Sequence, residues 1–389
     1  MNPNRKLVTV KTIDKIVPMT VKNGEPARSE LAFIGGWRAT VGKDEFHVGD
    51  KVVFAEPDSI FPVEERWSFL ERYHYRIKTQ KYNNLFTPDG EKVISQGLIL
   101  SLDVLPAGEY NEGDDVTALL GVTQKDDAEE DEFADNAEFG NTKVKAHFKW
   151  VPGYNKLMRY KWFRELSIPK KEPGGFVKEV SKTDEERIQN CGRIVDANTL
   201  WTATEKVDGM SSTYRLKKVH TPLWKRILGK QNYDFAVCSR NNRLGRPDGS
   251  AQWAMAKKYD IENVLKKLIG SNSWIAIQGE CAGPKIQKNR QGLTENRLFI
   301  FNLITPQGRM KTVEAAKLVE QFGLEWVPIL ATGIDLHGWS ETTLLAYANG
   351  QSALNEDKIR EGVVYRAENP DLDLSFKAVS PEYLLKIGE

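Results

Sequence analysis

Residues 201–214 read WTATEKVDGMSSTY, and the placement of this stretch decides how the rest of the chain is organised. Trp201 and the threonines favour an extended strand as far as Lys206. Asp208-Gly209 supplies a turn, and Ser211 to Leu216 can run back as a second strand, which predicts a hairpin. Side chains two apart on a strand share a face, so Thr204, Lys206 and Asp208 are expected on one side and Glu205 on the other. A lysine and a carboxylate would then line one pocket wall. Covalent catalysis by lysine needs the free amine, and an ordinary pKa of about 10.4 makes that depend on desolvation or on a nearby positive charge such as a metal ion. Asp208 is a candidate to hold that ion. A solvated hairpin with a charged tip accounts for the same letters, because K-x-D-G has only three fixed positions.

At 389 residues the chain is long enough for two or three domains and at least one substantial core. Its 28% charged and 40% hydrophobic residues give the balance of a soluble globular protein. A net charge of +1 provides no bulk attraction to polyanions, so any nucleic-acid surface must come from local clusters. No stretch is apolar and long enough for a signal peptide or a membrane span, which predicts no membrane association and a cytoplasmic or otherwise intracellular location. Cys191, Cys238 and Cys281 stand apart, without the C-x-x-C spacing of a zinc or redox site, and read as ordinary buried thiols.

In the first part, 6–17, 31–40 and 51–55 read as strands, with Gly35-Gly36 and Gly49-Asp50 as turns. After a break at 56–62 the pattern resumes at 75–78 and 97–102. Short strands with Gly-rich turns in about a hundred residues predict a closed β-barrel of the OB-fold type over 1–123. Trp37, Arg38, Lys43, Tyr73, His74, Tyr75, Arg76, Lys78 and Lys81 mix cations with rings, which suits phosphate contact and base stacking. Solvated charge around core aromatics explains each of them singly. Residues 124–138, QKDDAEEDEFADNAE, carry dense like charge and predict a flexible linker over 124–142. The second domain, 143–389, opens with a basic and aromatic run at 143–164. At 183–186, T-D-E-E is a capping box and predicts a helix through Arg187, Ile188 and Gln189.

Beyond the hairpin, 217–230 is a basic excursion and 235–240 a strand. One long helix is expected over 250–269, with Trp253, Ala256, Val264, Leu265 and Leu268 facing the core. Strands at 274–280 and 298–304, helices at 312–322 and 340–348, and strands at 362–366 and 374–379 complete the chain. This order lacks the regular alternation and the G-x-G-x-x-G loop of a doubly wound sheet, so an α+β domain of largely antiparallel sheets flanked by helices is expected. Along it come Lys206, then Arg240 and Glu280 at strand ends, Phe301 in an apolar strand, Glu361 opening a strand and Lys377 within the last.

EKVDG, SRN, QGE, FIFN, REGVVYR and SFK, in this order, resemble motifs I, Ia, III, IIIa, IV and V of the covalent nucleotidyltransferase superfamily of ATP-dependent polynucleotide ligases and mRNA capping enzymes. The resemblance covers roughly the last half of the chain. DNA ligases and capping enzymes carry an OB domain after motif V, whereas twelve residues follow Lys377 here. A barrel in front, with YRIKT and ISQGLIL, is similar instead to the RNA ligases of the Naegleria and Deinococcus type, the fifth RNA ligase family.

That resemblance implies a monomeric, ATP-dependent RNA ligase using Mg²⁺ or Mn²⁺. It would join 3′-hydroxyl and 5′-phosphate ends, expected at nicks in duplex RNA or an RNA–DNA hybrid, through a lysyl-AMP and an adenylated 5′ end. Lys206 and Lys377 would be catalytic, the first as nucleophile and the second at the α-phosphate. ATP would be held by Glu205, Lys206, Arg240, Glu280, Phe301 and Lys377, with Phe301 stacked on adenine. Asp208, Glu280 and Glu361 would be the metal's oxygen donors. The chain departs from the family at Ser375, where many relatives have the first lysine of motif V, at Ser211 and Ser212, where DNA ligases usually place an arginine, and at Asn302, where many relatives have aspartate. The front barrel is expected to present duplex RNA and to be separable from adenylation. A GTP-dependent guanylyltransferase and a non-catalytic OB-type RNA-binding protein are the competing readings.

Overall fold

The computed structural model describes residues 6–124, 175–183, 185–192, 194–222, 227–245 and 249–387. The acidic and basic runs at 125–164, and the domain boundaries expected there, lie outside these residues.

The first part is built from β1 (Val8–Thr12), β2 (Lys15–Val21), β3 (Pro26–Ile34), β4 (Trp37–Gly42), β5 (Lys51–Ala55), β6 (Ser59–Ile60), β7 (Thr79–Phe86), β8 (Lys92–Gln96), β9 (Leu98–Leu100) and β10 (Thr123–Gln124). They pair as a five-stranded sheet β4-β3-β2-β7-β8, a three-stranded sheet β1-β5-β9 and a pair β6-β10. The continuous apolar run VVFA of β5, after the exposed Lys51, reflects burial on both faces. Val52 and Phe54 pack with Trp37, Ala39 and Ile99, while Val53 and Ala55 pack with Val8, Val10 and Trp67.

The expected strands are partly redrawn. The run at 31–40 is a hairpin, because Gly35 and Gly36, with φ of 50° and 79°, turn β3 back into β4. The run at 6–17 is two strands in different sheets. The run at 75–78 is no strand: it follows a 3-10 segment, Glu65–Tyr73, and opens with His74 and Tyr75 at φ of 54° and 60°, so the ladder starts only at Thr79.

The second part contains β11 (Glu186–Arg187), β12 (Trp201–Lys206), β13 (Met210–Lys218), β14 (Tyr233–Cys238), β15 (Trp274–Ala282), β16 (Arg297–Thr305), β17 (Gly308–Arg309), β18 (Glu325–Trp326), β19 (Ile329–Ile334), β20 (Gln351–Ser352), β21 (Asn355–Ile359), β22 (Gly362–Ala367) and β23 (Ser375–Val379). Its helices are α1 (Ala251–Lys258), α2 (Ile261–Leu268), α3 (Thr312–Glu320), α4 (Glu341–Ala348) and α5 (Pro381–Ile387). One sheet is ordered β11-β23-β22-β12-β19. The other is ordered β14-β13-β15-β16-β17, with β18 beside β16. Pairing is antiparallel except at β11–β23 and β16–β18, so the expected mixed, largely antiparallel α+β domain is what forms.

The predicted 201–216 hairpin does not form. β12 lies between β22 and β19, β13 lies between β14 and β15, and the chain crosses from one sheet to the other at Val207-Asp208-Gly209. A Cβ on Gly209 would strike the Cys281 carbonyl, so this crossing needs a glycine for close backbone approach. Two further expectations also yield to long-range structure. The helix over 250–269 breaks into α1 and α2 at Asp260, whose φ is 48° and whose carboxylate holds the Asn263 amide at 3.0 Å. The capping-box helix is absent: Glu186-Arg187 is β11, in parallel register with Phe376-Lys377, and a 3-10 turn, Ile188–Asn190, follows.

The two parts touch around this same sheet. Ile94 of β8 packs with Val379, Leu384 and Leu385. Trp37, expected as a nucleic-acid contact, is 1% exposed. Its indole donates to Asn190 Oδ1 at 3.3 Å, with the Arg187 guanidinium 5.4 Å from the ring centroid.

Candidate active site

β12, β22 and β23 each present alternate residues to two environments. Trp201 and Ala203, Val363 and Tyr365, and Phe376 and Ala378 face one core, where the Phe376 ring lies 5.2 Å from Trp201 and 4.9 Å from Tyr365. The other face therefore carries Thr204 and Lys206 on β12, Val364 and Arg366 on β22, and Ser375 and Lys377 on β23. Lys206 stands opposite Gly362 and Lys377 opposite Val364, which puts both lysines on one side of one sheet. Gly362 is required beside Ala378, whose carbonyl a Cβ would strike.

Around Lys206 the structure gathers acids. Its Nζ lies 2.6 Å from Glu361 Oε1, just before β22. Burial alone would pull the amine down, but Glu361, Glu280 and Asp208 together outweigh it and hold Lys206 above its ordinary pKa. Of the two expected routes to a free amine, desolvation is outweighed by these acids, while the other, a nearby positive charge such as a metal ion, would act by neutralising them. Burial pushes the Glu280 carboxyl up to about 8, with Glu361 and Asp208 adding repulsion and Lys206 and Arg240 opposing it. Arg240 follows β14 and its charge acts on Glu280, which brings SRN and QGE to one site.

Asp208, Glu280 and Glu361 gather carboxyl oxygens around Lys206, the donor type a hard divalent cation takes. Among the described residues, no three His, Cys, Asp or Glu side chains are arranged to enclose one. This fits magnesium or manganese held by one or two carboxylates, waters and substrate phosphates better than an all-protein cage.

Glu205 points away from Lys206, as the alternation required. Its carboxylate accepts from Ser352 Oγ at 2.5 Å and from the Ala353 amide at 2.7 Å, anchoring the β20–β21 hairpin. Phe301 of β16 lies under the guanidinium of Arg366, 5.3 Å from its ring centroid. Arg366 also donates to Asn302 Oδ1 at 3.1 Å, to Thr204 Oγ1 at 3.2 Å and to Glu185 Oε1 at 2.7 Å, tying the two sheets together across the cleft. Asn302 completes the bridge by donating to Gln278 Oε1 at 2.9 Å. An aspartate there would place a carboxylate against the Gln278 oxygen, so asparagine suits this site.

Sequence reasoning overlooked Arg366, Arg290 and Tyr383. Arg366 closes the string REGVVYR and was in view. The other two lie in no motif, and nothing in their local sequence marks them. In the first part Arg76 is tied to Asp58 at 2.5 Å, Arg38 lies over Phe33 and Tyr75 packs against the core, while Lys43, His74 and Lys78 are exposed.

Residues 199–379 match a family model described as RNA ligase, and residues 7–102 match an OB-fold domain model. Among solved structures, an alanine variant of Naegleria gruberi RNA ligase with ATP and Mn is 27% identical with a TM-score of 0.70, covering 99% of this chain and 100% of that one. The N. gruberi ligase with pyrophosphate is 26% identical with a TM-score of 0.69, covering 98% and 99%. Another alanine variant of that ligase, with AMP and Mn, gives 26%, 0.69, 98% and 99%. No curated protein matches.

Proposed function

We infer what this chain does from the family to which it belongs, the ATP-dependent RNA ligases of the covalent nucleotidyltransferase superfamily, here with an N-terminal OB-like domain. It joins RNA through an adenylylated intermediate, taking ATP together with Mn²⁺ or Mg²⁺. The observation that carries the residue assignment is Lys206, set on the cleft face of β12 among Asp208, Glu280 and Glu361, with Lys377 on the same face.

On this reading Lys206 Nζ attacks the α-phosphorus of ATP. A P–N bond forms, the bond to the β-phosphate oxygen breaks, and pyrophosphate leaves with the electron pair. Glu361, 2.6 Å from the amine, orients it, and the amine gives up its proton to solvent once the acids around it are neutralised. Lys377 meets the α-phosphate, Arg240 and Glu280 hold the phosphate edge and the ribose, and Phe301 stacks on adenine, its far face backed by Arg366. Glu205, expected among the ATP-binding residues, is corrected: it faces away from the cleft and its carboxylate fixes the Ser352-Ala353 turn. Asp208, Glu280 and Glu361 would hold the divalent cation, one or two of them directly and the rest through water; when bound it supplies charge neutralisation for the phosphates and offsets the acids that otherwise keep Lys206 protonated. AMP then passes to an RNA 5′-phosphate, freeing Lys206, and a 3′-hydroxyl displaces AMP to leave a phosphodiester.

The finer substrate is a nick in duplex RNA or an RNA–DNA hybrid, bound by a monomer whose N-terminal sheets close into an OB barrel and contribute exposed Lys43, His74 and Lys78 to the duplex. ATP dependence and three free thiols favour an intracellular setting. No helix among the described residues is long and apolar enough to cross a membrane. Incubation with labelled ATP and Mg²⁺ tests the reading. The protein takes up label, passes it to a 5′-phosphorylated nick and seals it, and unlabelled ATP competes where GTP does not. Label from GTP, or RNA binding with no label at all, contradicts it.

A further inference from the structure

We propose that Tyr383 is a positioning residue for Asp208, acting with Arg290 as a bracket on that carboxylate; this rests on the reading of Lys206 as the nucleophile. Asp208 sits on the crossing between the two sheets, next to Gly209, and no strand pairing orients it. Its Oδ2 accepts from the Tyr383 hydroxyl at 3.0 Å and lies 3.3 Å from Arg290 Nη1. Arg290 Nη1 also donates to the Tyr383 hydroxyl at 3.1 Å, and the guanidinium lies over the tyrosine ring, 5.9 Å from its centroid. Three groups therefore share one triangle. With Oδ2 held from two directions, the carboxylate loses rotation about its last bond, and its remaining oxygen is left for the pocket.

Both arms are themselves fixed. Tyr383 is 4% exposed on α5, and its amide donates to Ser380 Oγ at 3.1 Å, which in turn donates to Asn349 Oδ1 at 2.8 Å. Leu384, the next residue, packs on Ile94. Arg290 closes a segment in which Lys285, Gln287, Lys288 and Asn289 all have positive φ, a strained path. Asn289 clips it by bonding both the carbonyl and the amide of Leu293, at 2.8 and 2.9 Å. Removing the tyrosine hydroxyl leaves Arg290 alone on Oδ2. The carboxylate is then free to swing towards the guanidinium, away from Lys206.

The test uses the full chain in single-turnover transfer of labelled AMP to the protein across a Mn²⁺ series. Tyr383→Phe lowers the rate at saturating ATP about tenfold. KM for ATP stays within about twofold, and the Mn²⁺ concentration for half-maximal rate rises. Mn²⁺ alone, without ATP, raises the melting temperature of the wild type more than that of Tyr383→Phe, because a ligand stabilises in proportion to its affinity for the folded state. Arg290→Ala shows the same pattern, and Arg290→Lys recovers most of the loss, so the proposal remains testable if the tyrosine variant does not fold. Wild-type rate and Mn²⁺ response in both Tyr383→Phe and Arg290→Ala overturn it. So does a lower melting temperature with an unchanged Mn²⁺ response, which would assign the pair a packing role only. Failure of the wild type to take label, or label surviving Lys206→Ala, would refute the nucleophile reading instead.

Discussion

Lys206 is held above its ordinary pKa by the same acids that, on the proposed reading, would later serve catalysis. The letters K-x-D placed Lys206 and Asp208 on one face by strand period, but β12 ends at Lys206 and Asp208 reaches the lysine from the crossing, held there by Tyr383 and Arg290. What the letters do not convey is charge balance. Glu280 and Glu361 arrive from 74 and 155 residues further along the chain, and only their convergence shows that desolvation is outweighed. Phe301 is the residue whose role is most easily isolated. Stacking on an aromatic side chain is worth about 1–3 kcal/mol by alanine substitution. Phe301→Ala should therefore raise KM for ATP in AMP transfer roughly tenfold, with a smaller change in the rate at saturation. An unchanged KM would remove Phe301 from the adenine site. Tyr383 and Arg290 lay beyond sequence reading for a plain reason: a tyrosine in SPEYLLK and an arginine in a basic run gain meaning only from the carboxylate they meet.

Among the elements, β12 carries the proposed nucleophile and Arg366 links the two sheets. This arginine is 3% exposed and its ion-pair partner Glu185 immediately precedes β11 of the same sheet, so truncating it leaves a carboxylate without its counter-charge as well as removing the bond to Asn302 of the other sheet. Breaking a buried pair from one side costs about 3–5 kcal/mol. Because the Glu185 side chain keeps 16% exposure, Arg366→Ala should fall near the low end, about 3 kcal/mol, read as a shift in the urea midpoint at constant slope. A shift below about 1 kcal/mol would show that water replaces the arginine. Sequence reading placed β12, β15, β16, β22 and β23 to within a residue or two, because each is a compact apolar or alternating run. It missed how they join. A D-G pair serves a hairpin and a sheet crossing equally well, and the difference lies in Gly209 meeting the Cys281 carbonyl. The T-D-E-E signal failed because parallel pairing of Glu186-Arg187 with β23 uses backbone groups a helix would need.

At the scale of the molecule, the N-terminal part is docked on the catalytic sheet rather than hung beside it. Ile94 meets Val379, two residues beyond Lys377, and Leu384, one beyond Tyr383. Trp37 meets Arg187, whose register partner is Lys377. These contacts oppose the simple division in which the front barrel serves RNA alone. Ile94→Ala in the full chain should slow AMP transfer to the protein by about threefold or more, before any RNA is added, since small displacements of positioned groups are costly in rate. A wild-type rate would restore the separable arrangement that the linker composition suggested. That arrangement could not be judged from sequence, because an interface between two parts leaves no period or motif in either.

The account stands or falls on where the nucleotide is attached. After incubation with ATP and Mg²⁺, digestion and mass spectrometry should find a single AMP on the peptide containing Lys206, with Lys206→Ala taking none. AMP on any other residue, or undiminished labelling of Lys206→Ala, would contradict it.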